Sequence, residues 1–493
     1  MTTVAAPLDA LAREAPGAPA LTVGGTTLAR RDLAATLKRL EGAVAARTAP
    51  GETVALVLPN GFALALLFLA CARTGRVAAV LDREWTRRER DGVLAALAPR
   101  LVVAEEGNAD ILMPAGAGPE AVAAALASDR EGAPCPPRPQ DAFYIGFTSG
   151  TTGLPKGYRR SHASWVASFE AGAREFAIGP HDHVLAPGAF THSLFLYALV
   201  DGLQRGAHVT ALERFRPRAV VERLAAGDVS VLYGVPTQLR LVLEAARGRR
   251  FPSVRLILSS GAKWPTDLGA EVARIFPGAR HAEFYGASEL SFVALAHSGE
   301  PVPEGSVGRP FPEVAVTIRG PDGARLPPGR VGRIHVESPF LFDGYAVGGG
   351  KGALHRLGKS LSVGDHGWLD EAGWLFLAGR EGRMLVTSGV NVYAEEVERV
   401  LESHPDVAAA VALGEPDRLR GTRLVAIVRP GDEAYPPAVS ALRAHCRDRL
   451  AEAKRPRRFL MARRWPMTRS GKTDAATLAD MLARSDPALE PLP

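Results

Sequence analysis

The sequence predicts an α/β fold: a large amino-terminal domain of parallel α/β sheets with a small β region, then a small mobile α+β domain at the carboxyl end. From about residue 20 to residue 345, short aliphatic runs alternate with Ala-, Leu- and Arg-rich segments of helical period. This alternation is typical of parallel strands joined by crossover helices. The turns PDG and PPG between residues 314 and 336 indicate antiparallel hairpins, which form the β region.

Individual elements follow from local patterns. Strands of the large domain are predicted at 53–58, 77–81, 100–104, 183–186 and 255–258. The apolar run 61–72 is well short of the roughly 20 residues of a membrane span, so it predicts a buried core helix and no span. The last stretch mixes predicted helices at 394–403 and 437–451 with strands at 407–413 and 424–428. We therefore expect two domains, 1–381 and 382–493.

Composition narrows the class of protein. The chain has 493 residues, 23% charged and 46% hydrophobic, which is typical of a globular protein. A net charge of +6 is spread out, without the basic and aromatic interleaving of a nucleic-acid surface, so no nucleic-acid partner is expected. Three separated cysteines favour neither disulfides nor zinc, and acidic Asp9 and Glu14 lie where an export signal would be apolar. A cytoplasmic location is the expectation.

The segment 147–157, FTSGTTGLPKG, is the most informative motif. It follows a strand-like run and combines glycines, hydroxyl side chains and Lys156. Glycines let backbone N–H groups approach an anion, hydroxyls donate to phosphate oxygens, and the lysine adds a positive charge. The expected phosphate-binding residues are Thr148, Ser149, Gly150, Thr151, Thr152, Gly153 and Lys156. A flexible surface loop is the alternative, and the spacing is not that of the ordinary P-loop.

This motif resembles the phosphate loop of the adenylate-forming superfamily, which includes acyl-CoA synthetases, nonribosomal-peptide adenylation domains and luciferase. Four further segments resemble elements of that family in its order: FYGASE at 284–289, SVGD at 362–365, Gly379-Arg380, and PMTRSGK at 466–472. The resemblance extends over nearly the whole chain and is nearest to acyl-CoA synthetases. It implies ATP and Mg²⁺ as cofactors and coenzyme A as the acceptor.

The resemblance also implies roles for single residues. Glu289 would hold the metal, while Lys472, His192 and Lys156 would join it as catalytic residues. Nucleotide contacts would come from Gly261, Ala262, Tyr285, Gly286, Ser288, Asp365 and Arg380 in addition to the phosphate loop and Lys472. Asp365 and Arg380 would bind the ribose.

Two departures from the family's pattern concern the link between the domains. Gly382 stands at the hinge position, where the family usually has an aspartate or lysine, and Arg383 follows in place of a common aspartate. We expect rotation at Gly382 to remain free, without the ion pair that a hinge residue would make. Asp474 replaces a basic residue two positions after the lysine. Both departures therefore concern the thioester-forming conformation rather than the adenylation site.

The acid pocket is predicted to be apolar, which suits a fatty, branched or aromatic carboxylic acid. No carboxylate stands near Thr191 and His192 to pair an amino group, and a desolvated ammonium would be costly. The predicted pocket residues are Phe190, Thr191, His192, Phe195, Trp264 and Phe292. The alternative is that most of the aromatic residues are ordinary core, and His192 could be a gate or a contact to the carboxylate.

Three functional readings remain. The first is an AMP-forming carboxylic acid–CoA ligase acting on a small-molecule acid. The second is a stand-alone adenylation enzyme that loads an acyl carrier protein or forms an amide with an amine. The third is a non-catalytic nucleotide-binding regulator, against which Lys156, Glu289, Asp365 and Lys472 argue. The basic residues Lys454, Arg455, Arg457 and Arg458 could meet the acceptor, or could form a solvated turn.

Overall fold

A computed structural model describes residues 2–127, 132–148, 154–261, 269–349, 354–387, 390–417, 421–468 and 473–493. The chain divides into two compact units. The amino-terminal unit comprises Met1–Val316, Val336–Ala353 and Gly358–Leu361, and the carboxyl-terminal unit comprises Thr317–His335, Leu354–Leu357 and Ser362–Pro493. The domain boundary between 381 and 382 stays a prediction.

The helices of the amino-terminal unit lie between its strands. They are α1 Leu8–Glu14, α2 Arg30–Ala45, α3 Phe62–Arg73, α4 Arg87–Leu97, α5 Pro119–Ala125, α6 His162–Phe176, α7 Ser193–Gln204, α8 Pro217–Ala225, α9 Pro236–Ala246 and α10 Gly269–Ile275. The predicted core helix is α3, which is buried from Phe62 to Ala72. Within the described ranges, every helix is too short or too polar to cross a membrane.

Strands before residue 212 start the two sheets of this unit. They are β1 Pro19–Val23, β2 Thr26–Ala29, β3 Thr53–Val57, β4 Val77–Val80, β5 Leu101–Ala104, β6 Ile111–Leu112, β7 Ala142–Thr148, β8 Lys156–Ser161, β9 His183–Ala186 and β10 His208–Ala211. The next group in these two sheets is β11 Val231–Gly234, β12 Leu256–Ser259, β13 Arg280–Ala287, β14 Ser291–His297, β15 Arg309–Pro310 and, further along the chain, β18 Gly344–Val347. Strands β16 Ala315–Arg319 and β17 Gly332–Glu337 pair with each other and belong to a third sheet. The strands predicted at 53–58, 77–81, 100–104, 183–186 and 255–258 are β3, β4, β5, β9 and β12, with ends that differ by at most one residue.

In the described part of the chain, both sheets have parallel centres. The nine-stranded sheet has antiparallel pairs at both edges, whereas the seven-stranded sheet has them only at the β18-β8 edge. One has the order β18-β8-β7-β4-β3-β5-β6, and the other β15-β14-β13-β12-β11-β9-β10-β1-β2. Strands β9, β11, β12 and β13 pair in parallel, so their carboxyl ends share one edge. In sheets of this kind, ligands bind outside the carboxyl ends of the parallel strands. The α/β prediction is confirmed.

The carboxyl-terminal unit mixes helices with mostly antiparallel strands. Its remaining elements are β19 His355–Leu357, β20 Ser360–Ser362, β21 Asp365–Leu369, β22 Leu375–Arg380, β23 Met384–Thr387, β24 Val390–Tyr393, α11 Ala394–Glu402, β25 Val407–Asp417, β26 Gly421–Pro430, α12 Val439–Arg449, β27 Arg458–Ala462, α13 Ala475–Ala483 and β28 Leu489–Pro491. Helices α11 and α12 pack their apolar faces on the sheet β25-β26-β27-β28 around Val397, Leu401 and Leu442.

Strands β25 and β26 extend beyond the predicted ranges 407–413 and 424–428. The antiparallel ladder continues through Glu415 and Arg423, which face each other across the two strands. Glu415 also pairs with Arg458 on β27. Cross-strand charge pairs therefore continue a ladder that the apolar pattern alone does not reveal.

The three cysteines are free thiols in different surroundings. Cys71 and Cys446 are buried, whereas Cys135 is exposed. Burial raises the pKa of Cys71 to about 12 and that of Cys446 to about 11. The two buried thiols are therefore protonated at neutral pH.

Candidate active site

The phosphate loop joins two antiparallel strands. Thr148 at the end of β7 is the register partner of Lys156 at the start of β8, so these two predicted residues lie side by side at the base of the loop. Five predicted loop residues, Ser149, Gly150, Thr151, Thr152 and Gly153, lie outside the described residues. The predicted strand before the loop is β7.

A pair of buried tyrosines lies on the two strands that flank the predicted loop. The hydroxyls of Tyr144 on β7 and Tyr158 on β8 are 2.9 Å apart. A Cβ atom at Gly146 would lie 2.1 Å from one hydroxyl and 2.2 Å from the other. Gly146 is therefore required by the space that the two hydroxyls occupy, and not by flexibility in the loop.

Glu289 lies in the turn between β13 and β14, at the carboxyl edge of the parallel strands. The turn is tight: Gly286 is the register partner of Phe292, and a Cβ at Gly286 would lie 2.1 Å from the carbonyl oxygen of Ser291. Ser291 itself has a φ of 62°. The FYGASE segment thus ends in a constrained corner that holds Tyr285, Gly286, Ser288 and Glu289 at one edge of the sheet.

The Glu289 carboxylate is held by the segment that leads into β18. The side-chain Oε1 accepts a hydrogen bond of 2.7 Å from the Tyr345 hydroxyl. The main-chain carbonyl oxygen of Glu289 accepts one of 3.0 Å from the Phe342 N–H. The Lys156 ammonium lies 5.9 Å from the centre of the Tyr345 ring. Tyr345, which the sequence analysis did not select, therefore lies between the predicted phosphate lysine and the predicted metal ligand.

The surroundings of Glu289 fit Mg²⁺. The side chain is a hard oxygen donor and is only 8% exposed. Among the described residues, no group of three or more His, Cys, Asp or Glu side chains forms a metal cage. Mg²⁺ is commonly bound by one or two carboxylates, with the remaining ligands from substrate phosphates and water. One carboxylate that shares Tyr345 as a neighbour with the predicted phosphate lysine, Lys156, matches that requirement.

Arg160 is a buried polar residue on β8 that the sequence analysis missed. Its guanidinium donates to the carbonyl oxygen of Ser288 at 3.0 Å and to that of Phe340 at 2.6 Å. Burial lowers the pKa of Arg160 to about 10, which leaves it charged at neutral pH, although Tyr158, Asp343 and Glu289 act in the opposite direction. It thus connects the turn of Glu289 to the segment before β18.

The predicted acid-binding segment is anchored by Asn60. This side chain donates to the carbonyl oxygen of Gly188 at 2.8 Å and accepts from the Phe190 N–H at 2.8 Å. His192 is exposed and is the residue immediately before α7, and Thr191 is half-buried next to it. Asn60 directly precedes the apolar run 61–72, but its role depends on a contact 130 positions away.

The aromatic residues predicted for the pocket are buried. Phe190, Phe195 and Phe292 are at most 4% exposed. Phe195 covers Gly188, where a Cβ would lie 2.0 Å from its ring, and Phe292 stacks on Phe311 at 4.6 Å. Trp264 lies outside the described residues. The contacts of Phe195 and Phe292 are typical of core packing, the alternative raised by the sequence.

Gly261 follows the carboxyl end of β12. Its φ of 93° lies in the left-handed region that favours glycine. Ser259 on β12 is the register partner of Glu283 on β13, which places this segment beside the one that carries Tyr285. Ala262 lies outside the described residues.

The two predicted ribose residues meet in the carboxyl-terminal unit. Asp365 and Arg380 are register partners on β21 and β22, and the Arg380 Nε donates to the Asp365 carboxylate at 2.9 Å. Asp365 is buried, whereas the Arg380 side chain is 67% exposed. The pair therefore presents a fixed carboxylate beside a reachable guanidinium.

Residues 381–383, named here the hinge turn, form one turn of 3₁₀ helix. The Glu381 carboxylate accepts from Arg333 at 2.7 Å and lies 3.1 Å from His355 Nε2. Arg383 donates to both carboxylate oxygens of Glu398 on α11, at 2.5 and 3.1 Å. The residues on either side of Gly382 therefore both form ion pairs, and the hinge role of Gly382 and Arg383 stays a prediction.

The departure at Asp474 has a local explanation. Its carboxylate accepts from the N–H and the hydroxyl of Thr477, at 3.0 and 2.8 Å, and so caps the first turn of α13. Lys472 lies outside the described residues. An aspartate here thus stabilises a helix start that a basic residue would not cap.

The four basic residues proposed as an acceptor patch have intramolecular partners. Lys454 pairs with Glu396, Arg457 with Glu452 and Arg458 with Glu415, while Arg455 donates to the Leu450 carbonyl. Their charge is largely compensated within the unit. This arrangement favours the structural alternative over an acceptor site.

The geometry describes an adenylate-forming enzyme, and the comparisons define its family. The model of the AMP-binding enzyme matches residues 8–346, and that of the AMP-binding enzyme C-terminal domain matches residues 396–472. The chain belongs to the AMP-binding enzyme family.

Curated relatives are similar over most of their length. An uncharacterized acyl–CoA ligase, YhfT, of Bacillus subtilis (strain 168) is 36% identical over 438 residues, which are 88% of each chain. Feruloyl-CoA synthase of an Amycolatopsis species is 30% identical, covering 94% of this chain and 95% of its own. Fatty acid–[acyl-carrier-protein] ligase ScoC of Streptomyces coeruleorubidus is 29% identical, covering 95% and 94%.

Solved structures agree. The o-succinylbenzoate CoA synthetase MenE of Bacillus subtilis, in complex with its acyl-adenylate intermediate, superposes with a TM-score of 0.83 at 26% identity over 96% of this chain and 97% of its own. The same enzyme with ATP and magnesium ion gives 0.81 at 25%, over 96% and 98%. The predictions of an AMP-forming acid–CoA ligase, with ATP and Mg²⁺ as cofactors and coenzyme A as acceptor, are confirmed at the level of these relatives.

Proposed function

We propose that this protein joins an apolar carboxylic acid, fatty or aromatic, to coenzyme A with cleavage of ATP to AMP and pyrophosphate. The observation that carries the proposal is that Lys156, at the base of the predicted phosphate loop, lies over the ring of Tyr345, whose hydroxyl donates to Glu289. A lysine for phosphate oxygens and a single carboxylate for Mg²⁺ are what adenylation by Mg·ATP requires.

In the first step, an oxygen of the acid attacks the α-phosphorus of ATP, and the bond to pyrophosphate breaks. The acid is already ionised, so no residue has to remove a proton. Mg²⁺, when bound with ATP, supplies charge neutralisation on the phosphates. Thr148, Lys156 and the other loop residues would hold the nucleotide phosphates, Lys472 would hold the carboxylate and α-phosphate, and Asp365 and Arg380 would hold the ribose.

In the second step, the acceptor thiol attacks the acyl carbon, and AMP leaves with the electrons of the carbon–oxygen bond. The predicted hinge residues Gly382 and Arg383 would permit the carboxyl-terminal domain to rearrange between the steps. His192, which is exposed before α7, is proposed as a gate or a contact to the carboxylate rather than a proton carrier.

The apolar acid is proposed because the described segment around Thr191 and His192 offers no carboxylate for an amino group. Feruloyl-CoA synthase, a relative that activates an aromatic acid by its name, supports this class. A carrier protein as acceptor is the second candidate, since a relative of similar coverage is named a fatty acid–[acyl-carrier-protein] ligase. The cytoplasmic location remains a prediction from the sequence.

The decisive experiment is mass spectrometry of reactions with enzyme, Mg·ATP and a panel of fatty, aryl and amino acids, each with and without coenzyme A. We expect acyl-CoA from an apolar acid. If acyl-AMP accumulates and is not consumed when coenzyme A is added, the acceptor is a carrier protein or an amine. Absence of any acid-dependent AMP would contradict the enzyme reading.

Lys472→Ala separates the two half-reactions. We expect it to lose adenylation, because the lysine would orient the carboxylate and α-phosphate, and to convert supplied acyl-adenylate to acyl-CoA at a near-normal rate. Stopped assays of each half-reaction measure this. Equal loss in both would contradict a role confined to adenylation.

A further inference from the structure

Arg160 is held in an unusual setting for a charged side chain. It is 1% exposed, and its Nε has no hydrogen-bond partner among the described residues. Arginine is rarely buried without a paired carboxylate, because removing the charge from water is costly. The hydrogen bonds described for Arg160 go instead to two main-chain carbonyls.

Those two carbonyls belong to the segments that determine where the Glu289 carboxylate lies. Ser288 directly precedes Glu289. Phe340 begins the segment whose later residues, Phe342 and Tyr345, both hydrogen-bond Glu289. The Arg160 guanidinium therefore bridges the turn that carries Glu289 and the segment that hydrogen-bonds Glu289.

Strand β8, which carries Arg160, begins at Lys156, the lysine at the base of the predicted phosphate loop. Lys156, Tyr158 and Arg160 are alternate residues of β8, so they share one face of the strand, while Arg159 lies on the opposite, exposed face. Burial raises the pKa of Tyr158, whereas its side-chain hydrogen bonds with Tyr144, Ser288 and Ser193 act to lower that pKa. One short strand thus carries the predicted phosphate lysine and two buried groups behind Glu289.

We propose that Arg160 is a positioning residue for Glu289: it sets the carboxylate for Mg·ATP by clamping the carbonyls of Ser288 and Phe340. The inference rests on the proposed function for the role of Glu289. Groups that orient a metal ligand commonly change metal affinity by about 10- to 100-fold when they are removed. Replacing an arginine with a merely structural role would lower stability without weakening the binding of Mg·ATP more than that of metal-free ATP.

The test is equilibrium binding of ATP by calorimetry, with and without Mg²⁺, for the wild-type chain and for Arg160→Met, Arg160→Lys and Arg159→Met. We expect Arg160→Met to weaken binding of Mg·ATP by about tenfold or more and to leave metal-free ATP nearly unchanged. Arg160→Lys keeps the charge but cannot form the two-pronged contact, so it should lie in between. Arg159→Met, the exposed neighbour, should bind both forms like the wild type.

A double-substitution cycle with Glu289→Gln sharpens the result. If Arg160 acts through the carboxylate, Arg160→Met should add little to the loss caused by Glu289→Gln. Equal weakening of Mg·ATP and free ATP, additive losses, or unchanged binding with only a lower melting temperature would each overturn the proposal. Arg160→Lys provides the same comparison if Arg160→Met does not fold.

These measurements need neither the acid nor coenzyme A. If the wild type binds Mg·ATP through Arg160 and Glu289 but forms no acyl-adenylate, the proposed function fails and the clamp stands. If product forms normally and Arg160→Met binds Mg·ATP like the wild type, the clamp fails and the proposed function stands.

Discussion

The clamp behind Glu289 and the hinge turn each contain a desolvated arginine: Arg160 is 1% exposed and the Arg383 side chain is 32% exposed. The two charges have different hydrogen-bond partners. Arg160 donates to two neutral carbonyls, and burial lowers its pKa to about 10. Arg383 is also desolvated, which lowers the pKa, but its hydrogen bonds and proximity to Glu398 and Glu395 outweigh this and raise the pKa. Burying the Arg160 charge costs free energy of folding and holds two main-chain segments together, whereas the charge of Arg383 is compensated by neighbouring carboxylates.

Glycines provide the largest expected contrast between the two regions. At Gly146 on β7, a Cβ would overlap both tyrosine hydroxyls, whereas at Gly382 nothing lies within 4 Å of a Cβ. Gly146→Ala should therefore lower the free energy of unfolding by about 1–3 kcal/mol. Gly382→Ala should be neutral or stabilising by about 0.4–1 kcal/mol, because it restricts the unfolded chain. Urea unfolding of both variants measures this; similar values would contradict the comparison.

Acid should weaken the buried region through His162. The ring stacks on Phe143, next to Tyr144, and burial lowers its pKa to about 4, although Asp141 acts in the opposite direction. The unfolded chain takes up this proton near the ordinary pKa of about 6.5, so the stability that neutral His162 provides is present above pH 6.5 and declines as the pH falls toward 4. The slope from this one group is at most about 1.4 kcal/mol per pH unit.

Urea unfolding from pH 7 to pH 4.5, with His162→Phe as the matched variant, measures that slope. The aromatic ring of phenylalanine preserves the stack but cannot titrate. We expect a shallower loss of stability in the variant. Parallel pH profiles for the two chains would show that His162 does not contribute.

The hinge turn should show the smallest effect. Side chains of Arg383 and Glu398 are 32% and 12% exposed, and such pairs usually contribute about 0.5–1 kcal/mol. A double-substitution cycle with Arg383→Ala and Glu398→Ala measures the coupling, and Arg383→Lys tests the two-pronged geometry. A coupling above about 3 kcal/mol would contradict this expectation, because that range is typical of breaking a buried ion pair.

The sequence predicted those features that repeat along the chain or resemble a family element. The alternation of aliphatic runs with helical segments predicted β3, β4, β5, β9 and β12. The FTSGTTGLPKG and FYGASE segments identified Thr148, Lys156 and Glu289 as candidate site residues. These signals are local, since each depends on neighbouring residues in the chain.

The features that were missed depend on distant contacts. Arg160 reads as one of two consecutive arginines after a loop, and only the pairing of β8 shows that one faces the interior while the other faces solvent. Tyr345 and Asn60 act on residues 56 and 130 positions away, respectively. The sequence alone gives no reason for a glycine at position 146. The structure gives one, because two tyrosine hydroxyls occupy the space that a side chain would need. The partners of the hinge turn were missed for the same reason.

The contrast among the three thiols makes the unaltered chain suitable for labelling. Cys135 is exposed on the proline-rich segment before β7, whereas Cys71 and Cys446 are buried. A maleimide dye at neutral pH should attach at Cys135 alone, because alkylation requires an accessible thiolate. A fluorophore there would sit in the amino-terminal unit, and a second dye introduced in the carboxyl-terminal unit would report the distance between the two units during turnover.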